Sequence, residues 1–170
     1  MPRTPAQALG FLLGFWLALW LSPFEIELAR LEESAACCES LEAELHRAIQ
    51  GIRAERELVP LARRPELDRV ARAHSTDMAR RGYLAHETPE GADPVDRLAQ
   101  AGLAGFTLAA ENIARSDQAD PVRAIAQGWL ASPDHRRNLV TPPFNATGIG
   151  IARTPDGALV ATQLYLSYPR

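Results

Sequence analysis

Three prolines of the 170-residue chain stand directly after residues that cap helices: Asp93-Pro94, Asp120-Pro121 and Ser132-Pro133. A proline in the first helical turn lacks an N–H that would have no partner there, and the residue before it offers an acceptor to the turn. Each pair therefore marks a helix start. The first helix ends at Gly102, the second buries Val122, Ile125, Ala126, Trp129 and Leu130, and the third is a short turn carrying His135. Upstream, Pro65 opens a helix with the stripe Leu67, Val70, Ala71, His74 and Met78, ending near Gly82. Leu41, Leu45, Ile49 and Ile52 recur at helical spacing and predict a helix from about Leu28 to Arg56, broken by Leu58-Val59-Pro60-Leu61. After Pro142-Pro143, the runs Thr147 to Ala152 and Ala158 to Leu166 flank Thr154-Pro155-Asp156-Gly157, which reads as strand, turn, strand. A third strand is predicted within Phe106 to Ala114. Helices first and a hairpin last make an α+β fold.

Charge is unevenly placed. Residues 41–170 hold 16 Arg and 16 Asp or Glu, whereas residues 25–40 hold five Glu against Arg30. With a net charge of −3 overall, there is no bulk field for nucleic acid, and recognition has to come from a local site. Arg3 precedes an uncharged stretch from Ala8 to Phe24, the pattern of a secretory signal or signal anchor. Small residues suited to cleavage occur only at Ser34 and Ala36, beyond several charges, so an uncleaved anchor is the preferred reading. The chain divides into a signal or anchor (1–24), an acidic juxtamembrane segment (25–40) and one domain (41–170), with the domain outside the cytoplasm. Cys37 and Cys38, adjacent and the only cysteines, form no ordinary disulfide with each other and read as two exposed thiols, with intermolecular bridging or acylation as alternatives.

No local catalytic signature is present. The chemistry-bearing residues are dispersed: His86 in a loop, Glu111-Asn112 at a strand edge and His135 on a capped turn. Two imidazoles and a carboxylate suit an open zinc site. Spacing alone equally allows ordinary surface histidines. His74 reads as a satisfied core histidine, His46 as a solvated or capping one, and Trp129 as core.

In order, Ala71-Arg72-Ala73-His74-Ser75-Thr76-Asp77-Met78-Ala79, Tyr83-Leu84-Ala85-His86-Glu87-Thr88, Glu111-Asn112-Ile113-Ala114, Trp129 to Leu139, and Gly148-Ile149-Gly150-Ile151-Ala152 resemble the bacterial single-domain branch of the CAP superfamily, the SCP-like proteins. The resemblance covers about Leu41 to Arg170. It implies an α-β-α sandwich, with helices on both sides of a small, mainly antiparallel sheet, and a central cavity of two His and two acidic residues. His86, Glu111 and His135 match three of the four, and Ser132 stands where the second Glu usually lies. Gln50 replaces a frequent Asn, a change assigned to packing. The resemblance also implies divalent metal, zinc foremost, at His86 and His135, and a small apolar or envelope ligand. The reading is a monomeric, noncatalytic, extracytoplasmic binding module. One alternative is a zinc-dependent hydrolase with Glu111 as general base, and another is a purely structural domain.

Overall fold

The computed structural model describes residues 22–169. They divide into a unit ending at Cys37 and a unit from Cys38 to Arg170. The apolar stretch read as a signal or anchor lies almost wholly outside the described residues, and none of the described helices is long and apolar enough to cross a membrane. Of the first unit, the described part is the start of helix α1 (Pro23–Ala54), opened by Ser22, whose hydroxyl accepts from the Glu25 N–H while Glu25 accepts from the Ser22 N–H. The helix begins five residues before the predicted Leu28.

The second unit continues with β1 (Ala62–Arg63), α2 (Pro65–Arg81), α3 (Pro94–Gln100), β2 (Leu108–Ser116), α4 (Pro121–Ala131), α5 (Pro133–Val140), β3 (Ala146–Arg153) and β4 (Leu159–Ser167). The proline signals place their helices correctly. Asp93 and Asp96 form a reciprocal capping box, and Asp120 accepts from the Arg123 N–H. Ser132 is the exception: its side chain makes no cap bond, and the predicted turn is an eight-residue helix. Gly82, at φ 72°, ends α2 in the left-handed conformation that only glycine adopts freely.

The four strands lie in the order β1-β3-β4-β2. β3 pairs antiparallel with β4, and β4 with β2, while β1 adds a short parallel pairing to β3, Ala62 opposite Ala146. Sequence pattern missed β1, because two residues show no period. It exists because Gln50 of α1 clamps the preceding residue, donating to the Leu61 carbonyl (2.7 Å) and accepting from its N–H (3.1 Å). Gln50 therefore fastens a loop, beyond the packing role assigned from sequence.

Strand alternation divides the core. On one face of β3 and β4, Ile149, Ile151, Leu159, Ala161 and Tyr165 pack with Leu45 and Ile49 of α1, Trp129 of α4 and Leu139 of α5. On the other, Ala146, Leu164 and Leu166 meet Leu67, Val70 and Ala71 of α2. Cys38 is half-buried against the first of these clusters, correcting the expectation of an exposed thiol. The side chain of Cys37 lies outside the described part.

Candidate functional site

β2 is an outer strand, and its consecutive residues Glu111 and Asn112 point to opposite faces of the sheet. Glu111 turns to the α2–α3 side. Its carboxylate is 1% exposed and both oxygens are engaged: Oε1 lies 2.9 Å from His86 Nδ1, and Oε2 accepts from Arg97 Nη2 of α3 at 2.5 Å. Arg97 Nη1 also donates to the carbonyls of His86 (2.6 Å) and Ala92 (3.1 Å). One guanidinium thus holds the loop bearing His86 and the carboxylate orienting it. With Nδ1–H donated to Glu111, the half-exposed His86 ring presents Nε2 as its free lone pair.

Asn112 turns to the α5 side. It donates to the His135 carbonyl (3.1 Å) and lies 3.3 Å from the Tyr165 hydroxyl, while its own carbonyl accepts from Asn138 (2.8 Å). The chain of bonds runs on through Tyr165 to Gln163 and from Gln163 to Thr147. This buried network fixes α5, and with it His135, against β2. Burial lowers the pKa of His135, and His86 lowers it further. Ser132 shares a groove with His135, Ile113 and Trp129 beside α4.

His86 and Glu111 therefore touch, whereas His135 is joined to β2 through its own carbonyl, which accepts from Asn112 on the other face of the sheet. No group of three or more His, Cys, Asp or Glu arranged to hold a metal exists among the described residues. Glu111 backs the His86 imidazole alone and has no oxygen to spare. Arg97 was invisible to motif reading, since an arginine on a short amphipathic helix carries no local signal, and Asn138 lay within the Trp129 to Leu139 motif without being singled out. The other histidines are structural. His74 is 2% exposed and its Nε2–H donates to the Ala85 carbonyl (3.0 Å). His46, read as solvated or capping, is instead half-buried, with Nε2 3.2 Å from Gln50 Nε2. Trp129 is buried as expected and donates to the Ile113 carbonyl (3.0 Å).

Helices on both faces of this sheet make an SCP-type sandwich, and solved structures agree. An extracellular SCP-domain protein from Bacillus anthracis superposes with a TM-score of 0.70 at 30% identity, over 86% of this chain and 44% of that one. An outer surface protein from Borrelia burgdorferi shares the fold at 20% identity, with a TM-score of 0.69 over 76% of this chain and 94% of that one. The chain belongs to the cysteine-rich secretory protein family, CAP, whose profile matches residues 46–165. Two Bacillus subtilis relatives, the uncharacterized protein YkwD and the uncharacterized membrane protein YlbC, are 32% and 36% identical over 93 and 84 residues, or 55% and 49% of this chain. The matched regions span 35% of YkwD and 23% of YlbC.

Proposed function

We propose that this chain is an extracytoplasmic, noncatalytic binding module that presents His86 and His135 as a paired imidazole site for a divalent ion of the zinc type. The observation that carries the reading is the buried Glu111 carboxylate, whose Oε1 is spent on orienting the exposed His86 ring. The carboxylate behind His86 fixes that ring with Nε2 outward, and the lowered pKa of His135 favours its neutral, metal-binding form. Bound zinc would act there as a Lewis acid with open positions, completed by water or by a group from a partner. Glu111 holds and orients, because both its oxygens are already bonded. The extracytoplasmic placement is supported by Arg3 ahead of an uncharged stretch, and by relatives described as extracellular and outer-surface proteins.

Zinc titration of the whole chain by calorimetry tests this. Micromolar binding is expected, lost in His86→Ala and in His135→Ala, and weakened about tenfold in Glu111→Gln, as for removal of a carboxylate behind a ligating imidazole. No binding to the parent chain, or binding unchanged in both histidine variants, overturns the reading.

A further inference from the structure

His46 and Gln50 stand one turn apart on α1, and their side chains meet: Gln50 Nε2 lies 3.2 Å from His46 Nε2. A third residue sets the orientation of the Gln50 amide. Oε1 accepts from the Leu61 N–H, and Nε2 donates to the Leu61 carbonyl, so the two atoms cannot change places without setting like against like. An amide nitrogen only donates. His46 Nε2 therefore accepts, and the single proton of the neutral ring sits on Nδ1, which is buried without a partner.

A second proton is unfavourable on this ring. It would turn Nε2 into an N–H aimed at an N–H of Gln50, while Nδ1–H stayed unpaired. Burial disfavours the charged ring most, and Arg63 of β1 and Arg47 of α1 add to this, against Asp68 of α2, which favours it. Protonated His46 gains an acceptor from Gln50 only if the amide turns over and offers Oε1. That turn sets Oε1 against the Leu61 carbonyl and Nε2 against the Leu61 N–H, and both bonds to the loop are lost. The chain is tied before this point by Arg53, which donates to the Val59 carbonyl, and after it by Arg63, whose guanidinium binds Glu42 and Asp68. Between the two ties lie Leu61 and Ala62, and the Ala62 N–H donates to the Asn145 carbonyl where β1 meets β3.

We propose that His46 and Gln50 form a proton-operated catch on β1. With His46 neutral, the amide clamps Leu61 and β1 stays on β3; with His46 protonated, the amide reverses and Leu61 and Ala62 open locally. The device uses neither His86 nor His135 and does not rest on metal binding.

The closed form disfavours the proton, and the open form takes it at an ordinary histidine pKa. Opening therefore grows as pH falls, by about tenfold per pH unit between the ordinary value and the lowered one, and is flat outside that window. Amide hydrogen exchange of the whole chain tests this, read by NMR between pH 7.5 and 5 and corrected for intrinsic rates. Protection of the Leu61 and Ala62 amides should fall with that slope relative to Ala161 and Thr162 of the inner strand β4, whose exchange reports opening of the whole sheet. In His46→Ala the pH dependence at Leu61 and Ala62 disappears while β4 keeps its protection. Gln50→Glu supplies a carboxylate that accepts from the protonated ring, so the NMR titration midpoint of His46 rises, and this variant decides if His46→Ala does not fold. The proposal is overturned if Leu61 and Ala62 follow β4 at every pH, or if their pH dependence survives His46→Ala. It is also overturned if the His46 midpoint does not rise in Gln50→Glu.

Discussion

Arg53 is completely buried and forms no ion pair among the described residues. Its guanidinium is spent on backbone carbonyls: Val59 twice, Leu139, Thr141 and Phe144, at 2.9–3.2 Å. These gather the end of α1, the end of α5 and the loop before β3 onto one planar group, a geometry that lysine cannot reproduce. Burial lowers its pKa, yet arginine remains charged at any working pH. Arg53→Met should cost about 3–5 kcal/mol in urea denaturation, because several buried carbonyls lose their donors together. His74 supplies a second prediction at this scale. Burial is the largest cause of its lowered pKa, with His46 and His135 lowered for the same leading reason. The unfolded chain therefore binds more protons just below the ordinary histidine pKa. Stability is full above that pKa and falls as pH drops through it toward the folded values, by at most about 1.4 kcal/mol per pH unit for each histidine. Urea midpoints between pH 7.5 and 5 should show this decline, and it should be shallower in His74→Phe.

At the scale of the element, α2 packs on β3 with no room for a side chain at two glycines. A methyl group on Gly148 would overlap the backbone and Cβ of Leu67, and one on Gly150 the backbone of Ala71 and Arg72. These are main-chain atoms and one Cβ fixed to the main chain, none of which can swing aside. Gly148→Ala and Gly150→Ala should each lose about 1–3 kcal/mol or more by thermal or urea unfolding. Gly128, inside α4 with open space around its Cα, gives the opposite sign: Gly128→Ala should gain about 0.5–1 kcal/mol. Helices and long strands were legible because their signals are local. Asp93-Pro94 and Asp120-Pro121 cap by bonds within one turn, and the β3–β4 hairpin turns at Gly157, whose φ is 90°. β1 was not legible, since its two residues pair only because Gln50 brings them to β3.

For the whole molecule, the outer part of β3 is closed by carboxylates. The Ile149 N–H donates to Asp68 (2.8 Å) and the Ile151 N–H to Glu42 (3.2 Å), and those acids are held by Arg63 and Arg72. Glu42, fully buried, joins α1, β1, α2 and β3 in one ionic knot. Glu42→Ala should cost about 1–3 kcal/mol in urea denaturation, because it leaves the buried Ile151 N–H without its acceptor, while Arg63 keeps Asp68 and Arg72 keeps Glu39. The core residues, Glu42 and Arg53 all belong to the unit from Cys38 onward. A 38–170 fragment should therefore unfold cooperatively near the parent's urea midpoint, whereas a 57–170 fragment should show no cooperative transition by circular dichroism.

By itself the sequence determined the elements and the α+β order, because capping, proline position and apolar period act within a few residues along the chain. It also singled out His86, Glu111 and His135 as the residues worth watching. Only the tertiary structure decided their relation. Glu111 and Asn112 adjoin in sequence, yet a strand's two-residue period sends one to Arg97 and His86 and the other to Asn138 and His135. Arg97 spends the Glu111 charge, and bonds between residues 14 to 53 positions apart fix both sides of the site. No local pattern encodes such bonds, because their partners are chosen by how helices from the two faces meet at the outer edge of β2.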